Sequence, residues 1–122
     1  MACLCNQPTA LESVATWNVS RNLTSYSDLV ELNNINKEIS ELLEAAMLND
    51  TNARVDAYCD IIVFAAGAIH KLGYQPELSL QETVKEISSR RGSIDPSTGK
   101  WEKDRNQDPS TLYTANYSLT KR

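Results

Sequence analysis

The stretch Val55-Asp56-Ala57-Tyr58-Cys59-Asp60-Ile61-Ile62-Val63-Phe64-Ala65-Ala66-Gly67-Ala68-Ile69-His70-Lys71-Leu72-Gly73 decides the fold. Its run Ile61–Ile69 has the length of a buried helix and is apolar on every side, so it predicts a helix wrapped by neighbours or by a second subunit. The helix covers about residues 52–72, and Gly73 closes it where left-handed φ is favoured. Gly67 costs helix propensity and is expected to permit close helix packing. Upstream, Asn49-Asp50-Thr51 ends one helix and caps the next. That earlier helix, about 28–48 with Ser27 as its cap, carries Leu32, Ile35, Ile39, Leu42 and Ala46 at alternating spacings of three and four. Such spacing predicts a core stripe.

Further out the signals weaken. Thr9 and Glu12 form a capping box for a short helix of about residues 10–20, with Leu11, Val14 and Trp17 on one side. Ser79 and Glu82 form a second such box, opening a fourth helix that runs to about Arg90 and ends by Gly92. Asp95-Pro96-Ser97-Thr98-Gly99 is a turn. The rest is polar with scattered aromatics and no strand alternation. The expected class is all-α: one domain over 1–122, with a helical core of about 9–92 and a loop-rich arm over 93–122.

Composition sets the outer bounds. Lys and Arg total 12 against 16 Asp and Glu, a net charge of −4. That argues against binding polymeric nucleic acid, which usually demands a basic surface. No apolar run reaches the roughly 18 residues of a membrane-spanning helix, so no membrane partner is expected. The start MACLCNQP lacks the basic and apolar segments of a secretion leader. The 3 cysteines, Cys3, Cys5 and Cys59, are an odd number without zinc spacing. Cys59 is expected to be a packed thiol, and the compartment a reducing cytoplasm.

The candidate chemistry is acidic. Glu31, Asn34, Glu38 and Glu41 form a polar stripe beside the apolar one, continued by Glu44. Asp56 and Asp60 lie one turn apart on the next helix. Two helices joined by a short connector pack antiparallel. Counting rise per residue from the connector puts Glu38 and Glu41 at a height similar to Asp56 and Asp60. Converging carboxylates repel one another, and a divalent cation relieves that. Oxygen donors without His or Cys favour Mg²⁺, with Mn²⁺ as a substitute. The plainer alternative is a solvated acidic face, with Asp56 paired to Arg54 or Lys37. His70, the single histidine, reads as a helix-end residue favoured by the dipole. The phosphate loop G-x-x-x-x-G-K-[ST] is absent.

Lys37-Glu38-Ile39-Ser40-Glu41-Leu42, followed by Val55-Asp56-Ala57-Tyr58-Cys59-Asp60-Ile61-Ile62-Val63, resembles the MazG-like all-α nucleotide pyrophosphohydrolases. Glu38 and Glu41 match the family's E-x-x-E pair and Asp60 the last acid of its E-x-x-D pair. Ala57 stands where the third acid is usual, and Asp56 is its nearest substitute. Trp17-x-x-x-Arg21-Asn22-Leu23, Gly67–Gly73 and the segment from Lys85 to Asp104 extend the similarity, the last toward small phage-encoded members. The likeness covers about Trp17 to Tyr117.

The resemblance implies a MazG-like four-helix bundle completed by a homodimer or homotetramer, in the host cytoplasm if phage-encoded. It implies cleavage of (deoxy)nucleoside triphosphates between the α and β phosphates. Mg²⁺ held by Glu38, Glu41, Asp60 and Asp56 would orient the triphosphate and lower the pKa of water, with Glu41 or Glu38 taking the proton. Phosphates would meet cations: Lys37, Arg90, Lys100 and Lys103. Trp17 would stack on a base or pack in the core, and Asn34 would touch sugar or base. A catalytically decayed helical interaction protein on the same scaffold is the alternative, supported by Ala57. A related diphosphatase, or an enzyme of phosphoribosyl or alarmone nucleotides, is a third.

Overall fold

The computed structural model describes residues 7–122; Cys3 and Cys5 lie outside the described residues. The chain is mostly helical, in the order α1 (Ala10–Ser20), α2 (Asp28–Met47), α3 (Thr51–Lys71), α4 (Pro76–Ser88), β1 (Gly92–Ile94) and β2 (Trp101–Lys103). It divides between Glu77 and Leu78 into two compact units, Arg122 belonging to the first. No helix among the described residues is long and apolar enough to cross a membrane.

In the first unit the caps act as the sequence indicates. The Thr9 side chain accepts the Glu12 N–H while Glu12 reaches back to the Thr9 N–H. Ser27 caps α2 through the Val30 N–H. The Asp50 carboxylate accepts the Ala53 N–H at 3.0 Å and starts α3. Asn49, at φ 53°, turns the chain between the two helices, and Gly73, at φ 94°, ends α3. Both occupy the left-handed region that Gly and Asn tolerate best.

α3 is shared: α2 packs on it, and so does α1. The α2–α3 hairpin is antiparallel, since Glu31 near the start of α2 meets Lys71 at the end of α3. Near the connector, Arg54 Nη2 donates to the Ala46 carbonyl at 3.3 Å. Small residues let the backbones approach: Ala45 on α2 and Ala57 and Ala66 on α3 are buried. Gly67 does the same for α1, because a Cβ there would stand 2.6 Å from Asn18 Nδ2.

Two expectations are corrected here, the facing of α2 and the burial of Cys59. The stripe meant for the core of α2 does not face α3 as a whole: Leu32 and Ile39 are 59% and 50% exposed, whereas Glu31, Glu38 and Ala45 are buried. Ile35 and Leu42 are half-buried and Ala46 is exposed. Two stripes run side by side on α2, and the one with alanine and acids fits the close approach to α3. On α3, Val55, Tyr58 and Ile62 are more than half exposed in the single chain, so of the two coverings expected for this helix the chain's own neighbours supply only part. Cys59, beside Tyr58, shares that outer face and is exposed rather than packed.

The second unit departs from the sequence reading more. α4 begins at Pro76, at the first helical position, where a missing N–H costs nothing. Ser79 therefore sits inside the helix and is no cap; its hydroxyl meets that of Thr120 at 2.8 Å. The arm beyond Gly92 is not merely irregular. β1 and β2 form an antiparallel hairpin in the register Gly92↔Lys103, Ser93↔Glu102 and Ile94↔Trp101. The turn joining them is the expected one, with Asp95 Oδ1 accepting the Ser97 N–H at 2.8 Å. Strands this short and wholly exposed leave no alternation to read.

The segment from Tyr113 to Thr120 is tied to α4 by polar contacts. Thr83 meets the Tyr117 hydroxyl at 2.9 Å. The Ala115 N–H donates to Glu86 at 3.1 Å, and the Tyr113 N–H to Ser89 Oγ at 2.9 Å. The contacting residues Ser79, Glu82, Thr83 and Glu86 recur at helical spacing along one face of α4, and Ser89 follows just past its end.

Candidate metal centre

The helical hairpin brings Glu38, Glu41 and Asp60 together. Glu38 and Glu41 are one turn apart on α2, and Asp60 faces them from α3. Each offers a carboxylate oxygen within 4.8 Å of the others. Their burial is graded: Glu38 is buried, Asp60 half-buried and Glu41 exposed. The group is thus open to solvent at Glu41 and closed at Glu38.

Glu38 is the unusual member. It is 6% exposed, and its Oε2 is buried without a hydrogen-bond partner. A hydrogen bond with the Glu41 carboxyl, burial, and the negative charges of Glu41 and Asp60 push its pKa up to about 7, against a small opposing pull from Lys37. A buried acceptor short of donors is costly. The donor set fits a hard divalent cation, which would supply the charge these oxygens lack. Among the described residues this is the one group of three or more metal-ligating side chains so gathered.

The other expected site residues do not all join it. Asp56 is exposed and lies outside the group, while Ala57, 2% exposed, occupies the inward position beside it. One residue along a helix turns a side chain by about 100°, which is why Asp56 does not stand in for an acid at 57. Lys37 is exposed next to the cluster, and Asn34 is half-buried on the Glu38 face of α2. Trp17 is 48% exposed. It edges an apolar groove with Ala10, Val14 and Val63, and the Arg21 guanidinium lies 4.3 Å over its ring. Arg90, Lys100 and Lys103 belong to the second unit. Arg90 pairs with Glu86 at 3.4 Å, Lys100 follows the hairpin turn, and Lys103 lies on β2.

Two arrangements escaped the sequence reading. Glu31, counted in the polar stripe, forms a largely buried ion pair with Lys71 at 2.5 Å. The pairing of helix ends in an antiparallel hairpin was the signal available for it. Glu82, read as a cap, is instead buried in the second unit. It accepts a hydrogen bond from the Tyr113 hydroxyl, another from the Asn116 N–H at 3.0 Å, and one from Lys85 at 3.1 Å. These donors hold its carboxyl down at about 2, with Tyr113 the largest contribution. No sequence signal distinguishes such a residue from a cap.

Comparisons with protein-family models, with curated proteins and with solved structures find no match for this chain.

Proposed function

We propose that this chain is a Mg²⁺-dependent nucleotide pyrophosphohydrolase, cleaving (deoxy)nucleoside triphosphates to monophosphate and pyrophosphate on a MazG-like helical scaffold. The observation that carries the reading is Glu38: a buried carboxylate with an orphaned oxygen, facing two further acids. Three acids held together without a countercharge destabilise a fold, and a cation that binds them reverses the sign. When bound, Mg²⁺ neutralises phosphate charge and makes water a better nucleophile near neutral pH.

The residues then divide the work by exposure. Glu38 and Asp60 hold the cation from the closed side. Glu41, the solvent-facing member, receives a proton from the attacking water. Lys37, beside the cluster in the first unit, meets phosphate oxygens. The exposed apolar residues Leu32, Ile39 and Leu43 on α2, and Val55, Tyr58 and Ile62 on α3, support a homo-oligomer, since uncovered apolar area of this kind marks association surfaces.

A pyrophosphate-release assay tests this. Ribo- and deoxynucleoside triphosphates are offered with Mg²⁺ to the wild type, Glu41→Gln and Asp60→Asn. Metal-dependent release by wild type, lost by at least about a hundredfold in both variants, is the expected result. The same exposed apolar residues, together with Ala57 in place of an acid, favour a second reading, a helical interaction protein that lacks the chemistry. No release from any nucleotide, with no Tm increase on adding Mg²⁺ or Mn²⁺, would decide for it.

A further inference from the structure

We infer that the acid cluster takes a single divalent cation per chain. The inference rests on the metal reading above and goes beyond it in fixing how many ions the site serves. The donors present suffice for one ion: three carboxylate oxygens within 4.8 Å of one another span about the diameter of an oxygen cage around Mg²⁺ or Mn²⁺. Glu38, one of the three, is more than nine-tenths buried and its Oε2 has no hydrogen-bond partner.

A second ion, about 3.5–4 Å from the first in two-metal sites, needs further ligands one turn along either helix. Those positions do not provide them. On α3, the turn before Asp60 presents Ala57 inward, and the acid beside it, Asp56, lies outside the gathered group. The turn after Asp60 presents Val63 and Phe64. On α2, the turn after Glu41 presents the buried Ala45, with Glu44 exposed. The turn before Glu38 offers the neutral Asn34 and Ile35. Two turns before Glu38, Glu31 is engaged by Lys71. The charges alone point the same way, because a second dication would put +4 against at most three carboxylates.

The test counts ions on the full-length protein. The chain is stripped with chelator and titrated with Mn²⁺, and free Mn²⁺ is followed by electron paramagnetic resonance. One site per chain, displaced by Mg²⁺, is the expected result. Asp60→Asn should weaken it at least about tenfold, and Asp56→Asn should leave both affinity and count unchanged. Two Mn²⁺ per chain, or loss of binding in Asp56→Asn, overturns the inference and leaves the metal reading standing. No bound Mn²⁺ overturns both.

Discussion

Glu38 and Glu82 are both glutamates on the inner face of a helix, and both are almost fully buried, at 6% and 4% exposure. They differ in what meets them. Around Glu82 the second unit supplies a phenol, a backbone N–H and an ammonium. Around Glu38 the first unit supplies two more acids. Burial alone raises a carboxyl pKa, yet one of these groups lies near 2 and the other near 7. Donors filling the lone pairs make Glu82 part of the architecture. At Glu38 one oxygen, Oε2, has no donor, and in the proposed function a cation would meet it. Glu31 falls on the Glu82 side of the divide, being matched by Lys71.

The largest effect should come from removing a match. Lys71→Ala strands Glu31 in the α2–α3 seam and should cost about 3–5 kcal/mol of stability. Lys71→Ala combined with Glu31→Leu should recover most of it, as urea unfolding would show. A failure of the double variant to recover would place the cost in packing and not in charge.

One substitution made twice sharpens the contrast. In chelator, Glu38→Gln should raise Tm, because it removes a charge from a repelling group. Glu82→Gln should lower Tm and speed hydrogen exchange at the Asn116 amide, because it weakens the acceptor that holds the segment. Equal signs for the two variants would break the comparison.

Acidity should separate the same two residues. The Glu38 carboxyl is raised in the fold, so its contribution is full below about 4.5 and is lost as pH rises towards 7. The Glu82 carboxyl is lowered, so its contribution is present above about 4.5 and is lost as pH falls towards 2. Metal-free protein should therefore show a denaturation midpoint that declines from pH 4.5 to 7 and is restored by Mg²⁺. Below pH 4.5, exchange at Asn116 should accelerate. A decline that Mg²⁺ does not reverse would count against the cation.

The smallest effect tests the frame that aligns the acids. Asp50→Ala removes the α3 cap and should cost about 1 kcal/mol, with Mn²⁺ affinity changed less than in Asp60→Asn.

How much of this was legible depended on which residues spoke. The first three helices were, because Thr9, Ser27, Asp50 and Gly73 are end signals whose physics is local. So was the meeting of Glu38 and Glu41 with Asp60, which needed only a short connector and the rise per residue. The facing of α2 was not: its apolar and acidic stripes are neighbours, and small residues on α3 favoured the acidic one. Asp56 misled for a related reason, since being one turn from Asp60 does not fix how far a side chain swings outward. The hairpin was silent because its strands are three residues long. Ser79 and Glu82 match a capping box in spelling, but Pro76 starts the helix earlier and frees both for the Tyr113–Thr120 segment.

The brevity of the α2–α3 connector, Leu48-Asn49-Asp50, has a consequence in time. Residues close along the chain find one another quickly, since loops of about ten residues close within about 10–100 ns and local contacts speed folding generally. Every side chain of the acid cluster belongs to this one hairpin. During synthesis the cluster can form once α3 has left the ribosome, before the whole of the second unit, residues 78–121, has emerged, and a cation binding there would act on a nascent chain.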